Sequence, residues 1–207
     1  MKYYSVRKGI KPGIYNTWEE AKQQIQGFKG AEYKSFTDMN SAIVYYNNEK
    51  MENNLDNTSL YIFTDGSYQK NLDKHSYGVL IPQIDYKYSY SFESSTNNRN
   101  ELSAILHGLL YIKDIDIQKL GFNKVIIVSD SDYCIKSIKE YSKKWFDDNY
   151  NILDNSKKNL DLFIDIKKTI NSINYKIDFL KVKSHTNNLD SISFYNDQVD
   201  KIAKDSL

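Results

Sequence analysis

The stretch Tyr61-Ile62-Phe63-Thr64-Asp65-Gly66-Ser67 constrains the fold of this chain more than any other, because it sets a carboxylate at the end of an apolar run. Leu60 to Phe63 has the apolar, aromatic and β-branched character of a strand buried on both faces. A carboxylate at the end of such a strand is poorly solvated and tends to take up a proton, unless a cation or a hydrogen-bond network stabilises its charge. Asp-Gly is also a common hairpin turn, and the segment by itself supports that reading equally well. Acids elsewhere in the chain change the balance.

Beyond Asp65, Tyr77 to Pro82 and Asp85 to Phe92 read as two strands with no helical pattern between them, so three antiparallel strands form a meander. Thr96 opens a helix with Leu102, Ile105, Leu106, Leu109 and Leu110 at helical spacing, which places Glu101 in its first turn. An acid there ordinarily answers the helix dipole. Lys124 to Ser129 is a continuous apolar strand ending in Asp130, and Ser131-Asp132 starts a helix carrying Ile135, Ile138 and Tyr141. Acids at the carboxyl ends of buried strands mark ligand sites in open α/β sheets, although Asp130 could simply cap the helix. Leu160 to Ile173 is amphipathic, Tyr175 to Val182 is a strand, and a last helix begins at Phe194 or Asn196 and runs through Ser206. It carries Asp197 and Asp200 on one side.

The first 46 residues read strand, turn, strand, helix, strand, helix. Tyr3 to Arg7 is a strand, Lys11-Pro12-Gly13 a turn, and Ile14-Tyr15 begins the return. Thr17 and Glu20 have capping-box spacing, with Trp18, Ala21, Ile25 and Phe28 as packing positions. Glu32 to Phe36 alternates as a strand, and Asp38 or Asn40 can cap a short helix through Tyr46. Residues 1–50 carry eight Lys or Arg against five acids, and the remainder 20 against 22, so a small basic unit precedes a slightly acidic one. Exposed aromatics on so small a unit would be more informative than buried ones. Residues 47–58 are polar without periodicity and read as a linker.

Composition excludes several classes. No apolar run approaches the roughly 18 residues of a membrane span, and Lys2-Tyr3-Tyr4-Ser5-Val6 lacks a signal-peptide core, so a cytoplasmic or at least intracellular protein is expected, the nucleus included. The single Cys134 offers no internal disulfide or zinc set and is expected to be a buried thiol.

Taken together, Thr64-Asp65-Gly66-Ser67, Asn97-Asn98-Arg99-Asn100-Glu101-Leu102, Ser129-Asp130-Ser131 and Asn196-Asp197-Gln198-Val199-Asp200 resemble the ordered acids of type 1 ribonucleases H, over residues 59–207. Ahead of them, Tyr4-Ser5-Val6-Arg7-Lys8-Gly9, Gly13-Ile14-Tyr15-Asn16-Thr17-Trp18, Gly27-Phe28-Lys29-Gly30-Ala31 and Tyr33-Lys34-Ser35-Phe36 are similar to the hybrid-binding domain found before many of those enzymes. The resemblance implies an α/β fold: a ribonuclease H-like five-stranded mixed sheet flanked by helices, preceded by a small ββαβα domain at 1–46. It implies an endonuclease that cuts the RNA strand of RNA/DNA hybrids, leaving 5′-phosphate and 3′-hydroxyl ends. Asp65, Glu101, Asp130 and Asp200 would hold two magnesium ions, manganese being able to substitute, because converging carboxylates repel unless hard cations neutralise them. No small-molecule cofactor is implied, and a monomer is expected.

The same resemblance gives His185, between the last strand and last helix, a part in proton transfer or product departure. Arg7, Trp18, Tyr33 and Lys34 are implied to contact the hybrid, the two rings against deoxyribose. Asn71, Thr96, Asn98 and Arg99 match the family's substrate-facing positions, with Asn98 at a 2′-hydroxyl. His75 and His107 have no such setting and are expected to be structural or at the surface. Three departures stand out. Ser35 replaces a second lysine, Ser94 stands where the family often has an arginine for a DNA phosphate, and Asp147-Asp148 lie in a handle that is basic in many relatives. A catalytically silent hybrid or double-stranded RNA binding protein is the alternative, which the complete set of acids disfavours. An integrase or resolvase of the same superfold is disfavoured by the N-terminal segment.

Overall fold

The computed structural model describes residues 2–37, 39–47, 55–184 and 190–207, with only the backbone of Asn40 and Ser41. It divides into two compact units, one of residues 1–55 and 188–191 and the other of residues 56–187 and 192–207. Among the described residues no helix is long and apolar enough to cross a membrane.

In the first unit, β1 (Tyr3–Lys8) pairs antiparallel with both β2 (Gly13–Tyr15) and β3 (Glu32–Phe36). Helix α1 (Trp18–Ile25) starts at a complete capping box: Thr17 Oγ1 accepts from the Glu20 N–H at 3.3 Å, and Glu20 accepts from the Thr17 N–H at 3.3 Å. Two of the four orphan N–H groups of the first turn are thereby satisfied. Helix α2 (Met39–Asn47) completes the expected ββαβα order. Of the four packing positions expected along α1 and after it, Ala21 is fully buried, while Trp18 and Phe28 are exposed. The expected capping residues Asp38 and Asn40 fall where the side chain is outside the described residues.

The second unit is built on a five-stranded mixed sheet in the order β6-β5-β4-β7-β8. Strands β4 (Ser59–Gln69), β5 (Lys74–Ile81) and β6 (Tyr86–Phe92) form the antiparallel meander, with a 3₁₀ turn at Pro82–Ile84 and left-handed Asp85 before β6. Strands β7 (Lys124–Ser129) and β8 (Lys176–Lys181) join parallel to β4 and to each other. Helix α3 (Asn97–Lys113) buries Leu102, Ile105 and Leu109 as its spacing requires, but Leu110 is exposed. The core joins these residues to Leu60, Ile62, Val79, Ile81, Val125 and Ile127 from the sheet.

The helix expected after Asp130 is not continuous. Helix α4 (Asp132–Lys136), capped by Ser131, passes into a π turn at Ser137–Tyr141 and a 3₁₀ turn at Ser142–Lys144. Helix α5 (Leu160–Asn171) packs Phe163 and Ile166 inward. Helix α6 (Ser191–Lys204) begins earlier than its apolar periodicity suggests. Cys134 is buried as expected, and burial pushes its thiol up to about 12, which keeps it neutral.

Candidate active site

The site forms where β4 and β7 part. Their parallel ladder runs from Ser59↔Lys124 to Phe63↔Val128 and stops, while β4 continues beside β5 to Gln69. The Thr64 hydroxyl donates to the Val128 carbonyl at 3.2 Å and ties the two strands at the point of divergence. Asp65 follows immediately on one side and Asp130, just past Ser129, on the other. The hairpin-turn reading of Asp65-Gly66 is therefore corrected, since both residues lie inside β4 opposite Gly78 and Tyr77.

Gly66 serves close packing instead. A Cβ on Gly66 would stand 2.5 Å from the Glu101 backbone nitrogen and 2.9 Å from Asn100, so only a glycine lets the first turn of α3 meet β4 this closely. Gly78, in register with Asp65, does the same on the other face, where a Cβ would meet the Val199 carbonyl of α6 at 2.8 Å. Strand alternation explains the division: Phe63 faces Tyr195 of α6, and Ile62 faces Gly108 of α3. Two glycines thus bring two helices, one carrying Glu101 and one carrying Asp200, against the strand pair that carries Asp65.

Asp65, Glu101 and Asp130 each place a carboxylate oxygen within 4.8 Å of the others. Asp65 and Glu101 are buried and Asp130 is half-buried. Burial, then the charges of Asp130 and Asp200 and a hydrogen bond with Asp200, push the Asp65 carboxyl up to about 8. Burial and the charges of Asp65 and Asp130 raise Glu101 well above the usual carboxylate range, although the Gly66 N–H opposes this. Lys204, whose Nζ donates to Asp200 at 2.7 Å, only partly offsets the repulsion at Asp65. Glu101 Oε2 is buried without a hydrogen-bond partner. An orphaned buried oxygen beside two further carboxylates is a donor set that fits hard divalent cations, which take oxygen ligands and remove the repulsion.

Asn100 and His75 support the first turn of α3, and the sequence reading gave neither a part in the site. Asn100 Nδ2 donates to the Ser67 carbonyl at 2.8 Å and lies 3.2 Å from His75 Nδ1. Turning the amide over would set its oxygen against the Ser67 carbonyl, so Nδ2 is the donor and His75 Nδ1 the acceptor. The imidazole proton then sits on Nε2, toward Asp73 at 3.7 Å, with the ring stacked on Tyr68 at 4.3 Å. A polar residue preceding Glu101 at a core-facing helix position is the signal that could have found this network. His107, by contrast, is held between the Tyr86 and Tyr77 hydroxyls at 2.8 and 3.4 Å and faces no acid of the site.

The substrate-facing positions fall in varied settings. Thr96 caps α3, its hydroxyl accepting from the Arg99 N–H at 3.3 Å, and Asn98 is exposed one turn before Glu101. Arg99 is engaged by Asp161 through two bonds of 2.9 and 2.6 Å. Asn71 is exposed in the turn between β4 and β5. In the first unit, Trp18 and Tyr33 are 37% and 47% exposed with ring centres 5.8 Å apart, and so form an open aromatic pair rather than core. Lys34 lies over the Phe36 ring at 5.5 Å, while Arg7 pairs with Glu32 at 2.6 Å and lies over Tyr45. His185 lies outside the described residues.

Comparison with known proteins agrees with this geometry. The RNase H family profile matches residues 57–207, and the ribonuclease H1 N-terminal domain matches residues 2–46. The ribonuclease H of Thermoanaerobacter sp. (strain X514) is 30% identical over 161 residues, covering 76% of this chain and 94% of that protein. The ribonuclease H of Saccharomyces cerevisiae is 52% identical over 40 residues, 19% of this chain and 12% of that protein. The crystal structure of RNase H1 from Halobacterium salinarum NRC-1 shares the fold with a TM-score of 0.50 at 15% identity, over 72% of this chain and 96% of that one. With one family match spanning the whole sheet unit and a second on the small unit before it, the chain belongs to the ribonuclease H family of enzymes.

Proposed function

We propose that the chain is an endonuclease that hydrolyses the RNA strand of RNA/DNA hybrids, with residues 1–46 capturing the hybrid, 47–58 acting as linker and 59–207 cutting. The observation that carries the reading is the meeting of Asp65, Glu101 and Asp130 within 4.8 Å, with Asp200 hydrogen-bonded to Asp65. These four residues would hold two magnesium ions, or manganese in their place. When bound, the ions supply an activated water for in-line attack and charge to stabilise the departing 3′ oxygen, which leaves a 5′-phosphate and a 3′-hydroxyl.

The chain's own residues set the geometry. The Gly66 N–H orients the Glu101 carboxylate, and the Thr64 bond to β7 fixes the spacing of Asp65 from Asp130. Asn98, one turn from Glu101 and exposed, is positioned to donate to a 2′-hydroxyl, which distinguishes RNA from DNA. The open Trp18 and Tyr33 rings present flat apolar surface to a deoxyribose, where a 2′-hydroxyl would be poorly solvated. His185 is assigned to proton transfer or product departure.

The test is magnesium-dependent cutting of an end-labelled hybrid beside a plain RNA duplex of the same sequence. Hybrid cutting that disappears in Asp65→Asn, with the circular dichroism spectrum unchanged, is the expected result. Wild-type turnover in that variant at saturating magnesium would overturn the assignment, and hybrid binding without cutting by the wild-type chain would favour the silent alternative.

A further inference from the structure

Every side chain that α3 buries is apolar except those of Asn100 and Glu101. Glu101 belongs to the carboxylate cluster, and Asn100 does not. Asn100 is nevertheless fully buried, at a position where an apolar side chain would complete the helix pattern and fill the core. Its amide is only half satisfied: both hydrogens of Nδ2 are used, while Oδ1 is buried with no hydrogen-bond partner among the described residues. An unpaired buried acceptor is a standing cost to stability that a leucine of similar shape would not carry. Folds tolerate such a local conflict mainly where function requires it.

The two N–H groups show what the amide does. One goes to β4, at the Ser67 carbonyl, and the other to β5, at Nδ1 of His75, with lengths of 2.8 and 3.2 Å. Gly66, the residue before Ser67, supplies the N–H that reaches the Glu101 carboxylate. Two adjacent residues of β4 therefore grip two adjacent residues of α3, with one bond running in each direction. A single bond would leave the turn free to pivot, whereas bonds to two strands fix its rotation as well as its distance. His75 is itself immobilised as the acceptor: its ring is buried, stacked on Tyr68 at 4.3 Å and parallel to that of Phe92 at 6.3 Å.

We infer that Asn100 is a positioning residue for Glu101, that His75 acts only through Asn100, and that the pair is kept at the expense of stability. The inference rests on the reading of Glu101 as a metal ligand in a hybrid-cutting site. A carboxylate that shares ions with three others must be held to within a fraction of an ångström, and small displacements of such a group slow catalysis steeply.

The test is a cycle of Asn100→Leu, His75→Phe and both together, in the full chain. Each is read by thermal midpoint, by magnesium titration of that midpoint and by steady-state cutting of an end-labelled hybrid. Leucine has the branching of asparagine and phenylalanine keeps the stacked ring, so the double variant exchanges a polar contact for an apolar one of similar shape. Either single variant strands a polar atom of its partner and should melt lower, whereas the double should melt within about 2 °C of the wild type or above it. Turnover should still fall roughly tenfold or more in Asn100→Leu and equally in the double, while the hybrid concentration for half-maximal rate changes less than about twofold. The magnesium concentration that gives half the full rise in midpoint should increase about threefold or more. Wild-type turnover and magnesium response in the double variant would overturn the inference. So would turnover that falls in step with the midpoint across the cycle, or a further loss from His75→Phe once Asn100 is leucine, since either makes the pair a structural contact. If the leucine variants do not fold, His75→Phe decides alone: it leaves the Ser67 bond in place, and an unchanged magnesium response and turnover would overturn the inference. A wild-type chain that cuts no hybrid would count against the function proposed above, and the magnesium titration would still decide the placement of Glu101.

Discussion

Stripped of metal by a chelator, the protein should become less stable as pH rises from 5 to 9, with the crowded Asp65 and Glu101 behind the loss. In the unfolded chain Asp65 ionises near its ordinary value of 3.8, whereas burial and its neighbours hold it near 8 in the fold. Between those values the folded state binds the extra proton. Its contribution is complete below about pH 4 and is lost as pH climbs through about 8, so the slope is negative throughout that window. At about 1.4 kcal/mol per pH unit, a rise from 3.8 to about 8 corresponds to a ceiling of roughly 5 to 6 kcal/mol. Raised Glu101 works in the same direction, while His107, lowered by burial, works in the opposite direction only around its ordinary value of 6.5. For a unit of this size 1 kcal/mol moves the midpoint by roughly 2–4 °C, so a fall of about 10 °C is expected across the range. The assay is thermal unfolding of the sheet unit in EDTA, wild type beside Asp65→Asn, repeated in saturating magnesium. Asp65→Asn should flatten the profile, and magnesium should flatten or reverse it, because cations compete best with protons where the acids are ionised. A metal-free midpoint that stays level or rises with pH, in parallel with that of Asp65→Asn, would refute the proposed crowding of acids.

Gly66→Ala should cost about 1–3 kcal/mol by overpacking and lower turnover at least tenfold, whereas Gly78→Ala should cost similar stability; equal activity loss in both would show that Gly66 has no special hold on Glu101. Trp18→Ala with Tyr33→Ala should raise the hybrid concentration for half-maximal rate at least tenfold and leave kcat near wild type, since contacts away from the reacting phosphate contribute uniform binding; steady-state kinetics at fixed salt measure it. Asp161→Asn should change stability by under about 1 kcal/mol, as a partly exposed pair does, and tighten hybrid binding by releasing Arg99, which filter binding would detect.

Much of this fold was readable from local chemistry. The Thr17–Glu20 capping box and the helix opening at Thr96 are written in adjacent residues and formed as expected, whereas the cap of α4 is Ser131 and not Asp130. The four acids were readable as an ordered set only through the family resemblance, because each alone also reads as a turn, dipole, cap or solvated residue, and Asp65 lies inside β4 rather than at its end. What was not readable depends on approach in space. Asp-Gly carries a turn signature wherever it occurs, and only the position of α3 shows that Gly66 is there for want of a Cβ. Ile135, Ile138 and Tyr141 are spaced three apart as on an ordinary α-helix, so the widening at Ser137–Tyr141 left no mark on the apolar pattern. The Arg99–Asp161 pair joins residues 62 apart, and the Asn100–His75 contact residues 25 apart, so neither leaves a pattern within any local window.

The β4–β5 hairpin is fastened at one level along its length. Gly66 abuts α3, the Ser67 carbonyl accepts from Asn100, and Ser76, in register opposite Ser67, donates to the Ala203 carbonyl at 2.6 Å. Past that level Tyr68 is stacked on His75 and Lys74 Nζ donates to the Leu207 carbonyl at 2.7 Å, so it is Gln69 to Asp73 that project. Such an arrangement behaves as a cantilever with its clamp at Ser67 and Ser76. Asp65 lies inside the clamp, and Asn71 lies about four residues beyond it, roughly 13 Å along an extended strand. Bending of the tip to follow a curved or irregular duplex is therefore taken up beyond Ser67. The substrate contact expected of Asn71 thus lies beyond the clamp, and the spacing of Asp65 from Asp130 is set inside it.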